Sequence, residues 1–200
     1  MRRPEWLDDG NHWDGKYWLG NRNYVPCVEA LLTPNKHLAR KAQVFGMSVQ
    51  YYNRTQLSPK LEAELNVTYC STMETLLATS DVVSINCPLN AATKGLISHR
   101  EFSQMKNNVF FVNTARGPIV NEEALIAALE GGKVSRAGLD VFEAEPSINP
   151  YFVTSDKCTI QPHLGGLTIR AWRDAERECF ENIRAFFKTG KPLSPVNEVA

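Results

Sequence analysis

The sequence predicts an α/β fold in which helices cover a doubly wound parallel sheet, and two observations support this fold class. Strand-like and helix-like segments alternate along most of the 200 residues, which is the pattern of a parallel sheet with crossover helices. The strand-like segments are also short and rich in β-branched and aromatic residues. The clearest of them are SVQYY (48–52), DVVSIN (81–86), NVFFVN (108–113) and AGLDVF (137–142).

The helices between these strands have recognisable ends. Ser71 and Glu74 have the spacing of a capping box, and Thr33 followed by Pro34 makes an acceptable start for a helix over 34–46. Asn121 can cap the next helix. The apolar stripe of that helix consists of Ala124, Leu125, Ala128 and Leu129. Gly131 and Gly132 are expected to end the helix.

A long amphipathic helix is predicted near the C-terminus, from about Thr168 to about Gly190. Its apolar face, which we expect to be buried, comprises Ile169, Trp172, Cys179, Phe180, Ile183 and Phe187. Such a helix usually packs across a domain junction or against a partner. We therefore divide the chain into an N-terminal junction segment (1–23) containing Trp6, Trp13 and Trp18, a nucleotide-binding domain (24–166), and a C-terminal helix and tail (167–200).

The composition argues against several classes of partner. Lysine plus arginine (22) balance aspartate plus glutamate (22), so no global field attracts nucleic acid or an anionic membrane. No apolar run approaches the roughly 18 residues of a membrane helix, and the start MRRPEWLDDG is too polar for a signal peptide. The five cysteines lack CxxC or zinc-like spacing, so we expect reduced thiols, no metal site and a cytoplasmic protein.

Four segments together carry a resemblance to a known family. In chain order they are INCPLNAATKGLI (85–97), VNTARGPIVNEEALIAAL (112–129), AGLDVFEAEP (137–146) and QPHLGG (161–166). They resemble the D-isomer-specific 2-hydroxyacid dehydrogenases, especially the glyoxylate/hydroxypyruvate reductase branch, over roughly residues 37–198. The resemblance implies a Rossmann-like domain whose long C-terminal helix normally returns to a second domain.

The resemblance implies catalytic roles for three residues. Arg116 matches the arginine that grips the substrate carboxylate and carbonyl, a role that suits a guanidinium because it donates two parallel hydrogen bonds and stays charged. His163 matches the general acid that protonates the carbonyl oxygen, and the base of the reverse reaction. Glu145 matches the carboxylate that orients this imidazole. Taken singly, each residue also has an ordinary explanation, as a surface ion pair, a solvated turn residue or a residue that shapes a turn.

Other matched positions imply contacts to a nicotinamide dinucleotide, either NADP or NAD. Asp140 matches the aspartate that receives the carboxamide, and Thr114 and Ala115 match backbone near the nicotinamide ribose. Asn53 and Arg54 follow the second strand, where an NAD-selective enzyme presents an acidic residue to the ribose. An arginine there favours the 2′-phosphate of NADP, unless it is only a solvated loop charge. The remaining implied contacts are Cys87, Pro88, Thr93, Arg116, His163 and Gly165.

The GxGxxG fingerprint of the family is missing from the chain. Counting back from the matched segments places Ala30, Leu32 and Asn35 at the three glycine positions. A side chain at the second position blocks the approach of backbone to the pyrophosphate, and Pro34 has no amide proton to donate. Pro26 falls in the expected first strand, where it removes a ladder hydrogen bond. The stretch 24–36 therefore reflects either a gene-model, splicing or frameshift event or a real loss of phosphate binding.

The favoured interpretation is an oxidoreductase domain that transfers hydride between a nicotinamide dinucleotide and a 2-oxoacid or D-2-hydroxyacid of the glyoxylate or hydroxypyruvate type. Such enzymes carry a substrate lobe of roughly one hundred residues ahead of this region. Without it the cleft has one wall, and uncovered apolar surface predicts a homodimer or an unstable chain. The alternative is a non-catalytic or truncated Rossmann-like fragment that acts only with other chains. A methyltransferase or a relative of adenosylhomocysteine hydrolase is a weaker alternative, because the sequence segments EAEP and PHLGG do not suit either class of enzyme.

Overall fold

The architecture is a parallel β-sheet with helical crossovers, seen in a computed structural model that describes residues 26–29 and 34–195. The strands are β1 Pro26–Glu29, β2 Val49–Tyr51, β3 Val67–Tyr69, β4 Val82–Ile85, β5 Val109–Asn113, β6 Val134–Leu139 and β7 Cys158–Ile160. They are hydrogen-bonded in the order β3-β2-β1-β4-β5-β6-β7, and the paired strands are parallel.

This strand order is doubly wound. From β1 the chain moves outwards to β2 and β3, then returns to the other side of β1 and continues through β4 to β7. Because parallel crossovers are right-handed, the connections of the two halves cover opposite faces of the sheet. The predicted fold class is confirmed, and the strand order reverses between β1 and β4.

The described helices are α1 Pro34–Val44, α2 Pro59–Leu65, α3 Met73–Thr79, α4 His99–Gln104, α5 Glu122–Glu130, α6 Pro150–Thr154 and α7 Ile169–Thr189. The predicted helix from Pro34 is confirmed as α1. Its predicted cap, Thr33, and the tryptophans of 1–23 lie outside the described residues.

The start and end of α5 agree with the prediction. Asn121 Oδ1 accepts a hydrogen bond from the amide of Ala124 at 2.8 Å, and the predicted stripe of four apolar residues is buried. Gly131 is the C-cap residue, and Gly132 has a positive φ of 73°. The stripe recurs every fourth residue and therefore lies on one face of the helix, and this face covers the core.

The capping prediction for α3 is wrong by one residue. Thr72, rather than Ser71, is the N-cap: its hydroxyl accepts from the amide of Thr75 at 3.1 Å. Glu74 instead pairs with Arg100 of α4 at 3.1 Å. Two adjacent hydroxyl residues both satisfy the capping pattern, and the local backbone selects between them.

The bounds of β6 also differ from the prediction of 137–142. The strand begins at Val134, because Val134 pairs with Val109 across a register shift in the β5–β6 ladder. It ends at Leu139, so residues 140–142 form a loop at the sheet edge. The main core lies against β4, β5 and β6, and its largest fully buried side chains include Phe111, Leu125 and Phe152.

The described residues up to Gln161 form one compact unit, and those from Pro162 onwards form a second. The second unit contains α7, which Thr168 caps and which ends at Gly190 with φ 72°, as predicted. The boundaries predicted at 23/24 and 166/167 stay predictions. Along α7 no stretch is long and apolar enough to cross a membrane, and the same holds for every other described helix.

The prediction that the apolar face of α7 is buried is wrong for this chain. Every residue of that face is exposed, including Phe187 at 84% and Ile169 at 74%. The amphipathic pattern was read correctly as a helix, but a pattern does not show which surface covers its apolar face.

Candidate cofactor cleft and active site

Three neighbouring strands end in polar residues at the carboxyl edge of the sheet. β4 runs into Asn86 and Cys87, β5 runs into 114–116, and β6 runs into Asp140. Because the three strands are parallel neighbours, these residues lie side by side. This edge, close to the reversal of strand order, is where open α/β sheets bind ligands.

The side chain of Asn113 shapes the loop that carries Arg116. Asn113 ends β5 and is 1% exposed. Its Nδ2 donates to the carbonyl of Arg116, and its Oδ1 accepts from the amide of Ala115, both at 3.0 Å. Arg116 is exposed, and its Nη1 donates to the carbonyl of Ala115 at 2.6 Å. The guanidinium therefore extends from a fixed backbone and remains accessible to an anion.

Gly117 brings this loop against the segment that carries Glu145. A methyl group at position 117 would overlap the backbone carbonyl of Phe142, so glycine is required for the approach. Glu145 is exposed, and its Oε1 accepts from the amide of Phe142 at 2.8 Å. Arg116 and Glu145 thus lie on two loops that approach each other at Gly117 and Phe142.

Two further hydrogen bonds anchor the 140–145 segment. Asp140 is 5% exposed, and its amide donates to the carbonyl of Asn113 at 3.0 Å. The amide of Glu143 donates to Oε1 of Glu122, at the start of α5, at 2.8 Å. Burial raises the pKa of Glu122, and the negative charge of Glu143 adds to this effect, while the hydrogen bond from the Glu143 amide opposes it.

His163 and Gly165 belong to the second unit, in the exposed segment that follows β7. His163 has φ 56°, in the left-handed region that few residues other than glycine adopt. Such conformations are concentrated in turns and at functional sites. The partnership of His163 with Arg116 and Glu145 stays a prediction.

The first cleft at the sheet edge has a volume of about 480 Å³. It is lined by Asn86, Cys87, Pro88, Leu89, Thr114, Ala115 and Arg116. Five of these are residues that the sequence analysis assigned to the cofactor or substrate site. The cleft brings the end of β4 and the end of β5 into one surface, with Arg116 as its cationic residue.

A second cleft, of about 250 Å³, shares Cys87 and Pro88 with the first. It is lined by Tyr52, Asn53, Arg54, Met73, Cys87, Pro88, Asn90, Ala92, Thr93 and Leu96. Thr93 stabilises its wall, because its hydroxyl donates to the carbonyl of Pro88 at 2.6 Å and accepts from the amide of Asn90 at 2.8 Å. The two clefts together extend from the end of β5 to the end of β2.

Neither a metal centre nor a disulfide is found within the part of the chain that the structure describes. No group of three or more histidine, cysteine and acidic residues there could hold a metal ion. Four cysteines are free thiols, namely Cys70, Cys87, Cys158 and Cys179. Burial raises the pKa of Cys70 and of Cys158, which keeps both thiols protonated and unreactive near neutral pH.

The sequence analysis missed Asn113, Gly117 and Glu122. An asparagine at the end of a strand, three residues before an arginine, is the signal that could have identified the first, because asparagine side chains readily bond nearby backbone. Gly117 could have been noticed as a glycine before a proline at a strand end. Glu122 has no such signal, because its bond to Glu143 depends on tertiary contact between residues 21 positions apart.

The fold, the reversal of strand order and the two linked clefts define a nucleotide-binding domain of the Rossmann type. The chain belongs to the D-isomer specific 2-hydroxyacid dehydrogenase family, and the model of that family's NAD binding domain matches residues 35–165. The match begins at Asn35, the third of the glycine positions at which the fingerprint is missing.

Individual relatives agree with this membership. The chain is 58% identical to dehydrogenase efuE of Hormonema carpetanum over 164 residues, which are 82% of this chain and 41% of that protein. A glyoxylate reductase structure from Paecilomyes thermophila has a TM-score of 0.83 and 37% identity over 94% of this chain and 57% of its own. An NADPH-dependent glyoxylate/hydroxypyruvate reductase from Sinorhizobium meliloti, solved with NADP and malonate, has a TM-score of 0.80 and 28% identity over 88% and 54%. The chain spans about half the length of the curated relatives it matches.

Proposed function

We propose that this chain is the nucleotide-binding half of a dehydrogenase that transfers hydride between a nicotinamide dinucleotide and a 2-oxoacid or D-2-hydroxyacid of the glyoxylate or hydroxypyruvate type. One observation carries the proposal: Arg116, on a loop fixed by Asn113, lines a cleft at the carboxyl edge of the sheet. That cleft shares Cys87 and Pro88 with a second one, which we assign to the nucleoside. Family membership supports the same reaction class.

The proposed chemistry uses Arg116, Glu145 and His163. Arg116 would bind the carboxylate and carbonyl oxygens of the oxoacid, which orients the substrate and polarises its carbonyl. A bound reduced nicotinamide supplies the hydride that adds to the carbonyl carbon. His163 would donate a proton to the carbonyl oxygen, completing the hydroxyacid, and accept it in the reverse reaction. Glu145 would orient the imidazole and favour its protonated form.

The described residues fit a nicotinamide dinucleotide. We assign Thr114, Ala115, Asp140 and Gly165 to the nicotinamide end, and Cys87, Pro88 and Thr93 to the adenosine and pyrophosphate. Asn53 and Arg54 line the second cleft, where no acidic residue is present among its lining residues. An arginine without a competing carboxylate favours a 2′-phosphate, so we propose NADP ahead of NAD.

The missing glycines favour the alternative, a fragment with impaired cofactor binding. Residues 30–33, including Ala30 and Leu32, lie outside the described part of the chain. Asn35, at the third glycine position, is part of α1. The comparisons do not favour this alternative over the enzyme, and measurement of cofactor binding separates the two.

The assembly and the compartment are also proposals. We propose that the exposed apolar face of α7 is covered in solution by a second copy of the chain, because an exposed patch of this kind favours association. We propose a cytoplasmic location, since Cys70, Cys87, Cys158 and Cys179 are free thiols. The small-molecule oxoacid remains the proposed ligand besides the cofactor.

Calorimetric titration with NADPH and NADH, followed by assay with glyoxylate and hydroxypyruvate, tests the proposal. We expect binding of at least one cofactor and oxidation of NADPH in the presence of an oxoacid. His163→Ala should abolish turnover and leave cofactor affinity unchanged. Absence of any heat at millimolar cofactor would support the fragment with impaired binding, and unchanged turnover in His163→Ala would remove that residue from its role.

A further inference from the structure

Two tyrosine hydroxyl groups hold the ends of the loop that carries Arg54. β2 and β3 are paired so that Tyr51 lies opposite Tyr69, and the two ring centroids are 5.3 Å apart. Tyr69 Oη donates to the carbonyl of Asn53 at 3.3 Å, at the start of the loop. Tyr51 Oη accepts from the amide of Leu57 at 2.8 Å, at its end. The loop 53–57 is therefore attached to the sheet at both ends.

Glu62, on α2, strengthens the second attachment. Its Oε1 accepts from the hydroxyl of Tyr51 at 2.5 Å and from the side-chain amide of Gln56 at 3.0 Å. Tyr51 is 2% exposed, so water competes little for its bond to Glu62. Burial raises the pKa of Tyr51 well above its usual range, and the bond to Glu62 raises it further. The phenol consequently stays protonated and keeps donating near neutral pH.

The loop carries an unpaired cation into a cleft. Arg54 and Asn53 line the second cleft, and Arg54 is exposed. Among the described residues, the guanidinium of Arg54 has neither an ion-pair nor a hydrogen-bond partner. A loop that is already ordered reduces the entropy lost when such a side chain pairs with a phosphate.

We propose that Tyr51, Tyr69 and Glu62 are positioning residues that hold the loop 53–57 so that Arg54 can recognise a 2′-phosphate on adenosine. This inference rests on the proposed function, and deepens it by stating which residues set the selectivity of the nucleoside cleft. None of the three positioning residues lines that cleft. They act on the ligand only through the loop.

Two small nucleotides test the proposal without requiring the pyrophosphate site. Adenosine 2′,5′-bisphosphate and 5′-AMP differ only in the 2′-phosphate, so the ratio of their dissociation constants isolates its recognition. We expect the wild-type chain to prefer the bisphosphate. Tyr51→Phe should reduce this preference about three- to tenfold, the effect of losing one to two hydrogen bonds, and leave 5′-AMP affinity within about twofold of wild type.

Tyr151→Phe is the matched control. Burial raises the pKa of its hydroxyl, and a neighbouring glutamate, Glu130, raises it further, as Glu62 does for Tyr51. Tyr151 lines neither cleft. Both variants should lower the thermal midpoint, but only Tyr51→Phe should change the ligand preference. Glu62→Gln, a milder change that keeps an acceptor oxygen, should reduce the preference by a smaller factor and serves as the second variant if Tyr51→Phe does not fold.

The outcomes separate this inference from the proposed function. A wild-type preference that persists in both Tyr51→Phe and Glu62→Gln overturns the positioning role alone. An equal loss of preference in Tyr151→Phe also overturns it, because the effect would then follow general stability. Equal wild-type affinity for the two nucleotides overturns the role of Arg54 and, with it, the positioning role, while cofactor oxidation with an oxoacid could still be observed.

Discussion

Replacing Asn113 with alanine should release the Arg116 loop from the sheet while the strands remain in place. The Asn113 side chain is 1% exposed and makes two hydrogen bonds of 3.0 Å, one to the carbonyl of Arg116 and one from the amide of Ala115. Two bonds at about 1 kcal/mol each, with the added cost of leaving buried groups unpaired, give about 2–3 kcal/mol. In a protein of this size, that loss lowers the thermal midpoint by about 5–10 °C.

Asn121→Ala is the matched control for this variant. It also removes an asparagine that bonds backbone, here the amide of Ala124 at 2.8 Å, and loss of such a helix cap costs about 1 kcal/mol. Urea unfolding measures both stabilities, and steady-state assay with glyoxylate measures KM. We expect Asn113→Ala to be less stable than Asn121→Ala and to raise KM, because its Arg116 loop is no longer fixed. Equal stability losses with an unchanged KM would refute the reasoning.

Three further changes test other parts of the site. Gly117→Ala should lower stability and turnover, because the added methyl group overlaps the carbonyl of Phe142. Gly138→Ala is its control in thermal melts, because a methyl group there meets only the side chain of Val112, at an ordinary contact distance of 3.8 Å. Arg54→Ala should weaken NADPH binding about tenfold or more and leave NADH within about twofold, measured by calorimetry. Burial raises the pKa of Glu122 above its ordinary 4.5, so the folded chain binds more protons than the unfolded chain just above that pH. The free energy of unfolding therefore falls as the pH rises through this window. Glu122→Gln should make that fall smaller, and urea unfolding at a series of pH values between 4.5 and about 7 measures it.

The parts of the fold that the sequence predicts well are those whose local signals agree with their packing. In α5, the Asn121 cap and the buried stripe indicate the same helix, and the structure contains it. β3 and β7, each of three residues, were not identified. β2 is equally short, but it lies within a longer strand-like run, SVQYY (48–52), that shows a pattern. Their pairing depends on neighbouring strands rather than on their own composition.

The site shows a similar division. Arg116 and Glu145 were predicted from their motifs, and the structure adds the reason that their loops approach each other, namely the absence of a side chain at Gly117. The bond from Glu143 to Glu122 joins residues 21 positions apart, which no local pattern reveals. In the same way, the amphipathicity of α7 identifies an apolar face but contains no information about what covers it.

The described lining of the two clefts comes from the segments that follow β2, β4 and β5 and from Met73 of α3. A pyrophosphate cradle instead requires backbone amides near residues 30–35. The two requirements can be separated by restoring the fingerprint in a triple variant, Ala30→Gly, Leu32→Gly and Asn35→Gly. NADPH contains the pyrophosphate, so its affinity should rise about tenfold or more, while the affinity for adenosine 2′,5′-bisphosphate should change by less than about twofold. Parallel calorimetric titrations of the variant and the wild-type chain measure both effects. Unchanged NADPH affinity would contradict the view that side chains at these positions limit cofactor binding, and an equal gain for both ligands would show that the variant acts on the nucleoside cleft instead.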